Sequence, residues 1–374
     1  MSAVLFPRQA YYERIGAAKA LLPLLAPQGT QVQVGSPSVN MQFLQQLILA
    51  HTSAIPFETI DVLLGRRVSV APVDIYDKLI HARRGGYCFE QNGLFYEALR
   101  DAGFTDVRPV AARVLWDGEN SPLGRTHRLN IVTLPAEDDA TGSGTRQWMV
   151  DVGFGAGVPR APLRLDTAEP QQTIAGVMRV RTRNPVPELT GGWSENVVEL
   201  QVEGGGWRPL YHFDLQPQWL RDIYMMNFVV YQESLFRGCV QAARAEGTWV
   251  RTPTPAEKDS AHAVVSATGY TFVPRGVYSV VARSDKCTTA AKPAFLVPDA
   301  ALALLPGVGG VLPSAQSHPA TPGELYDWMK EKLQIDFQQT RLPQYSVSRD
   351  EFERAARDRL EVFGGSGFQS PHNF

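Results

Sequence analysis

Apolar residues recur at helical spacing through the early part of the chain. Met41, Leu44 and Ile48 mark one such stretch over residues 39–50, and residues 73–82 form a second. Leu94, Phe95, Ala98 and Leu99 mark a third that begins near Cys88, with Gly103 as its stop. From 105 to 215 the period changes to two. Val110, Ala112, Val114 and Trp116 alternate, as do Trp148, Val150, Val152 and Phe154. Residues 178–180 and 197–202 follow, with Gly191-Gly192 and Gly204-Gly205-Gly206 as turns. Residues 221–337 mix strand-like runs at 248–251 and 277–282 with a helical run at 324–333. These shifts predict an α+β chain in which an N-terminal helical bundle (1–104) packs against a central β-barrel or curled sheet (105–220), followed by a mixed unit (221–374). No internal repeat is visible.

Composition narrows the class. The chain has 374 residues, a formal net charge of −2 and 44% hydrophobic residues, as expected of a globular protein with a substantial core. That balance gives no support for nucleic-acid binding. Cys88, Cys239 and Cys287 are the only cysteines, a sparse odd set that argues against a disulfide framework and fits a reducing compartment. The apolar stretch at 17–26 lacks a basic lead-in, and Pro306, Gly307, Gly309 and Gly310 break the run at 300–312. The expectation is a cytoplasmic protein without membrane contact.

The sharpest chemistry lies in Arg83-Arg84-Gly85-Gly86-Tyr87-Cys88-Phe89-Glu90-Gln91-Asn92. It places a cysteine after two glycines at a helix start, where free N–H groups and the helix dipole favour the thiolate. His127 opens a strand-like run, and Asp151 lies on the opposite face from Trp148, Val150, Val152 and Phe154. A cysteine nucleophile needs a nearby base, and the base needs a third group to orient it. Cys88, His127 and Asp151 are the candidates. Cys239 and Cys287 have no comparable setting and read as structural. No Cys/His spacing resembles a zinc site, so no metal is expected.

These segments resemble the arylamine N-acetyltransferase family. The run Arg84–Asn92 matches its Arg-Gly-Gly-aromatic-Cys-x-Glu-x-Asn signature, and Val150-Asp151-Val152-Gly153-Phe154-Gly155 its Asp segment. Ile55-Pro56-Phe57-Glu58-Thr59 is similar to the family's Ile-Pro-Phe-Glu-Asn, with Thr59 in place of Asn. Tyr11-Tyr12-Glu13-Arg14-Ile15 and Pro162-Leu163 complete a resemblance over roughly 10–165. Length and insertions resemble eukaryotic, fungal members. The resemblance implies a cysteine-protease-like catalytic core and an α/β lid for residues 221–374. It implies ping-pong transfer of an acyl group, acetyl by default, from acyl-coenzyme A through a Cys88 thioester to an arylamine, hydrazine or N-hydroxyarylamine. Acetyl-coenzyme A would be a co-substrate, with no bound cofactor.

Further roles follow from the same likeness. Leu123 and Gly124 match where the family's backbone approaches coenzyme A, and Phe154 and Val158 match positions facing the acceptor pocket. For these the plain alternatives, a turn and core packing, stay open. Arg84, Glu58 and Arg14 correspond to an ion-pair network under the catalytic helix, while His51 and His81 read as capping or packing residues. Residues 227–236 resemble a segment bordering the coenzyme site but lack its Pro and first Tyr, which leaves coenzyme contacts there open. The polar, Gly-rich stretch 136–144 reads as a hairpin tip. Other readings remain: a papain- or transglutaminase-like Cys-His-Asp hydrolase, selectivity for propionyl or malonyl donors, and a binding protein on the same scaffold.

Overall fold

The computed structural model describes residues 5–30, 39–115, 124–136, 144–184, 194–202, 204–233, 235–237, 239–251, 264–265, 268–283, 287–290, 321–338 and 341–362. Among the described residues five α-helices precede the barrel: α1 (Arg8–Arg14), α2 (Met41–Ala54), α3 (Ile60–Leu63), α4 (Pro72–Ile75) and α5 (Cys88–Ala102). A π-helical turn, Tyr76–His81, continues α4, so the expected helix at 73–82 is regular only in its first part. Asn40 starts α2 by accepting the Phe43 N–H at 2.7 Å. Glu90 does the same for α5 through the Tyr87 N–H at 3.1 Å, and Gly103, at φ +105°, ends it in the left-handed region. Leu94, Phe95 and Leu99 are fully buried against Leu44, Leu47 and Ile48 of α2. Each such side chain contributes about 1.5–3 kcal/mol.

Eight antiparallel strands follow in the order β5-β4-β3-β2-β9-β8-β7-β6. They are β2 (Val107–Val114), β3 (His127–Pro135), β4 (Thr145–Val150), β5 (Leu163–Arg164), β6 (Gln171–Thr173), β7 (Gly176–Arg183), β8 (Glu195–Gln201) and β9 (Trp207–Phe213). The sheet nearly closes into a barrel. The Gln171 side chain joins its end strands, accepting the Arg164 N–H at 2.8 Å and donating to the Arg164 carbonyl at 3.1 Å. Pleating divides β3 between two cores. Leu129 and Ile131 fill the barrel with Met149, Val198 and Phe213, whereas Val132 and Leu134 join the helical core. His127 shares the barrel-side parity. Ala136 donates to the Gly144 carbonyl at 2.9 Å, closing the β3–β4 connection, whose residues 137–143 lie outside the described ones.

A second sheet is built on a long hairpin of β10 (Cys239–Arg251) and β12 (Tyr270–Arg283), with β1 (Phe57–Glu58), β11 (Val264–Val265) and β13 (Cys287–Ala290) at its edges. The hairpin is longer than the two short runs expected from alternation. Helix α6 (Leu220–Glu233) leads into it, and α7 (Pro322–Lys332), α8 (Arg349–Val362) and the segment between them pack on α3 and β10 through Leu325, Met329, Phe352 and the intervening Phe337. Among the described residues no helix is long and apolar enough to cross a membrane.

Candidate active site

Cys88 is the first residue of α5 and is 5% exposed. The glycines before it are required by contact. A Cβ on Gly85 would lie 2.3 Å from the Pro56 carbonyl oxygen, and one on Gly86 would lie 2.6 Å from Glu90 Oε2. Gly153 is equally constrained, since its Cβ would meet Cys88 Cα at 2.8 Å. Backbone just past the end of β4 thereby packs against the first residue of α5. Cys88 Sγ lies 3.7 Å from the Thr126 carbonyl oxygen, on the chain leading into β3.

His127 Nε2 bonds Asp151 Oδ2 at 2.7 Å, and the Cys88 thiol lies near enough to influence the His127 ring. Burial disfavours the imidazolium, but the Asp151 charge and the bonds to Asp151 and Cys88 outweigh it and raise the His127 pKa to about 10. Burial likewise pushes Asp151 up, and the His127 charge together with bonds from His127, Asn92 and Gly153 brings it below its ordinary value. The Asp151 carboxylate is well supplied with donors. Asn92 Nδ2 reaches Oδ1 at 2.9 Å, the Gly153 N–H reaches Oδ1 at 2.8 Å, and Tyr211 OH reaches Oδ2 at 2.9 Å.

Asn92 and Tyr211 carry no assigned role in the sequence reading. Asn92 stands four residues after Cys88, on the same helix face, and that spacing was a usable signal. Its side chain also donates to the Arg128 carbonyl at 2.6 Å and accepts the Val152 N–H at 3.1 Å, tying α5 to both strands. Tyr211 had no local signal. It arrives because β9 pairs with β2, with Tyr211 opposite Val114.

Phe154 packs its ring on His127 at 5.0 Å between centroids and on Tyr211 at 4.7 Å, so it walls the His127 ring. Val158 is buried and lines a neighbouring cavity with Phe57 and Arg160. Gly124 is exposed, and a Cβ there would meet only Thr126 Cγ2 at 3.9 Å, so close packing does not explain that glycine. Leu123 lies outside the described residues. Residues 227–233 belong to α6, where Asn227 accepts the Tyr87 hydroxyl and donates to the Val68 carbonyl at 2.9 Å. His51 is buried between Tyr11 OH at 3.0 Å and Gln91 Oε1 at 2.8 Å, and burial pulls its pKa down to about 3. His81 is exposed, and Cys239 is buried in β10.

The expected ion-pair network under α5 needs a correction. Arg84 Nη2 meets Glu58 Oε1 at 2.7 Å, as anticipated. Arg14 takes no part. It is seated at the end of α2 and donates to the carbonyls of Leu79, Ala54 and Arg83. Asp61 and Lys78 fill the network instead: Lys78 Nζ lies 2.6 Å from Asp61 Oδ2 and 2.7 Å from Glu90 Oε1, and Arg84 reaches Asp61 at 3.3 Å.

A model of the N-acetyltransferase family matches residues 40–247. The chain belongs to the arylamine N-acetyltransferase family. The arylamine N-acetyltransferase / N-hydroxyarylamine O-acetyltransferase of Salmonella typhimurium is 42% identical over 195 residues, 52% of this chain and 62% of that one. The Escherichia coli arylamine N-acetyltransferase is 37% identical over 194 residues, again 52% and 62%. The chain thus spans 62% of the length of these curated relatives. In three dimensions the likeness extends further. The Salmonella typhimurium arylamine N-acetyltransferase structure superposes with a TM-score of 0.62 at 27% identity, covering 94% of this chain and 97% of that one. A Mycobacterium marinum family member in complex with coenzyme A shares the fold, with a TM-score of 0.60 at 22% identity over 94% of this chain and 99% of that one. The helical part and the nearly closed barrel are consistent with the α+β fold of these solved relatives.

Proposed function

We propose that the chain transfers an acyl group, acetyl by default, from acyl-coenzyme A to the nitrogen of an arylamine, hydrazine or N-hydroxyarylamine, in the cytoplasm. Cys88 is the nucleophile, His127 the base and Asp151 its orienting group. In the first half-reaction the Cys88 thiolate attacks the thioester carbonyl carbon, and a tetrahedral oxyanion forms. N–H groups at the start of α5 are the donors nearest in sequence to that oxygen. The bond to the coenzyme sulfur breaks, the His127 imidazolium gives its proton to the departing thiolate, and the Cys88 thioester remains. In the second, the amine nitrogen attacks that thioester, His127 accepts the amine proton, and the Cys88 sulfur departs. Phe154, beside His127, supplies a flat wall for an aryl ring, and Val158 borders the same region. Leu123 and Gly124 are proposed to pass close to coenzyme A.

The observation that carries this reading is the buried His127–Asp151 pair next to Cys88, with Asp151 held by three further donors. An imidazolium with a raised pKa beside a thiol is the arrangement an acyl-accepting cysteine needs. The test is to incubate the protein with acetyl-, propionyl- and malonyl-coenzyme A without acceptor and to measure intact mass and the modified residue. One acyl group per chain on Cys88 is expected, absent in Cys88→Ala. No adduct from any donor would sink the proposal in favour of a hydrolase or a binding protein, and peptide hydrolysis dependent on Cys88 would select the hydrolase.

A further inference from the structure

Arg160 is 3% exposed, yet its Nε and Nη1 meet no hydrogen-bond partner. Other deeply buried cations are answered. Arg84 and Lys78 face carboxylates, and Arg14 and Arg244 donate to carbonyls. Arg128, which also has an idle Nε, lies within reach of the Glu97 charge and the Tyr96 ring. Burial alone acts on Arg160, and it pulls the pKa down to about 10. An unpaired guanidinium in such a place loses its hydration with no partner to offset the loss.

Arg160 lines a cavity of about 10 Å³ together with Thr52, Phe57, Val158 and Arg244, and no carboxylate is among the lining residues. The cavity adjoins the catalytic region. Phe57 packs in one apolar cluster with Tyr87 and Cys88, and a Cβ on Gly155, directly after Phe154, would meet the Phe57 ring at 3.5 Å. We propose that Arg160 recognises a carboxylate on a substrate of the acyl-transfer site, one carboxylate oxygen entering this cavity beside its idle nitrogens. The inference rests on the acyltransferase reading given above. The space is about that of one water-sized group, enough for an oxygen at the tip of a short chain. The carboxylate can come from the acyl group of the donor or from the arylamine, because both pass the same cysteine.

The test uses two matched pairs and the full chain. Malonyl- and propionyl-coenzyme A differ by a carboxylate in place of a methyl on the donor. 4-Aminobenzoate and its methyl ester differ by a charge on the acceptor. Wild-type protein should favour the charged member of one pair in kcat/KM, and Arg160→Met should lower that charged-to-neutral ratio by about 10- to 100-fold, with Arg160→Lys between them. The pair that responds names the source. A wild type that favours the neutral member of both pairs overturns the proposal whether or not Arg160→Met folds, and so does a ratio that Arg160→Met leaves unmoved. A readout without turnover separates this from the parent reading. Free malonate or 4-aminobenzoate should raise the Tm of wild type but not of Arg160→Met. Acylation of Cys88 without any carboxylate preference would refute Arg160 recognition and keep the acyltransferase. A carboxylate-dependent Tm rise without acylation would do the reverse.

Discussion

Two buried clusters of charge meet at the start of α5, and they are finished differently. On one side Arg84, Lys78, Glu58, Asp61 and Glu90 form a closed network, each cation facing carboxylates at 2.6–3.3 Å. Arg84 also donates to the Tyr345 carbonyl at 2.9 Å, which ties the network to the C-terminal part of the chain. On the other side His127 and Asp151 are paired, but their line ends on Cys88, whose sulfur is left for chemistry. A closed network positions backbone, because removing one member leaves a buried charge unanswered. A line ending in a nucleophile can change its bonding without disrupting what surrounds it. The glycines at 85, 86 and 153 let both clusters approach the same helix turn.

That contrast can be broken in order of expected effect. Asp151→Asn keeps the shape of the triad but removes the charge and the tautomer control on His127. It should slow single-turnover acylation of Cys88 by roughly 10⁴-fold. A loss below about tenfold would show that His127 needs no orienting carboxylate. Arg84→Ala should instead act on the fold, costing about 3–5 kcal/mol in denaturant unfolding and lowering soluble yield. A variant of ordinary stability and full activity would remove the distinction between the two clusters.

The smallest effect concerns pH. Burial, with the charges of Asp61 and Glu58, outweighs Lys78 and lifts Glu90 from 4.5 to about 7. A group whose folded pKa is raised stabilises the fold fully below its unfolded value, and that contribution is lost as pH rises through the folded one. The Glu90 contribution should therefore disappear between about pH 4.5 and 7, by about 3 kcal/mol at most, and Glu90→Gln should flatten that slope. His127, raised from 6.5 to about 10, follows the same sign in a higher window. The rate of Cys88 acylation should therefore hold steady between about pH 7 and 9 while Glu90 has already titrated. A step in acylation near neutral pH would mean that the clusters are electrostatically coupled.

Legibility in the sequence followed the range of the interactions. The start and stop of α5 depend on Gly85, Gly86, Glu90 and Gly103, all within or beside the helix, and were readable from adjacent residues. The alternation around Asp151 predicted its face, and β4 and β3 do bring it to His127, but Phe154, beyond the end of β4, leaves the expected apolar face and packs on His127 instead. Helices at 39–50 and 324–333 appear as Met41–Ala54 and Pro322–Lys332, shifted only at their ends. The hairpin of Cys239–Arg251 with Tyr270–Arg283 was half seen; the first of these strands is covered on both faces over much of its length, and such a strand loses its alternation.

What the sequence determined by itself was the chemistry on offer: a cysteine at a helix start, a histidine opening a strand, an aspartate on the chosen face of another, and the glycines that permit their approach. Only the tertiary structure decided which charges answer one another. Arg14 reads as a partner for Glu58 and ends on carbonyls. Lys78 and Asp61 complete the network, Tyr211 comes to Asp151 by strand pairing, and Arg160 is left without an anion. The reason is physical. Caps and periodicity are set by neighbours a few residues away, whereas an ion pair or a buried hydrogen bond depends on register and packing between elements far apart in the chain.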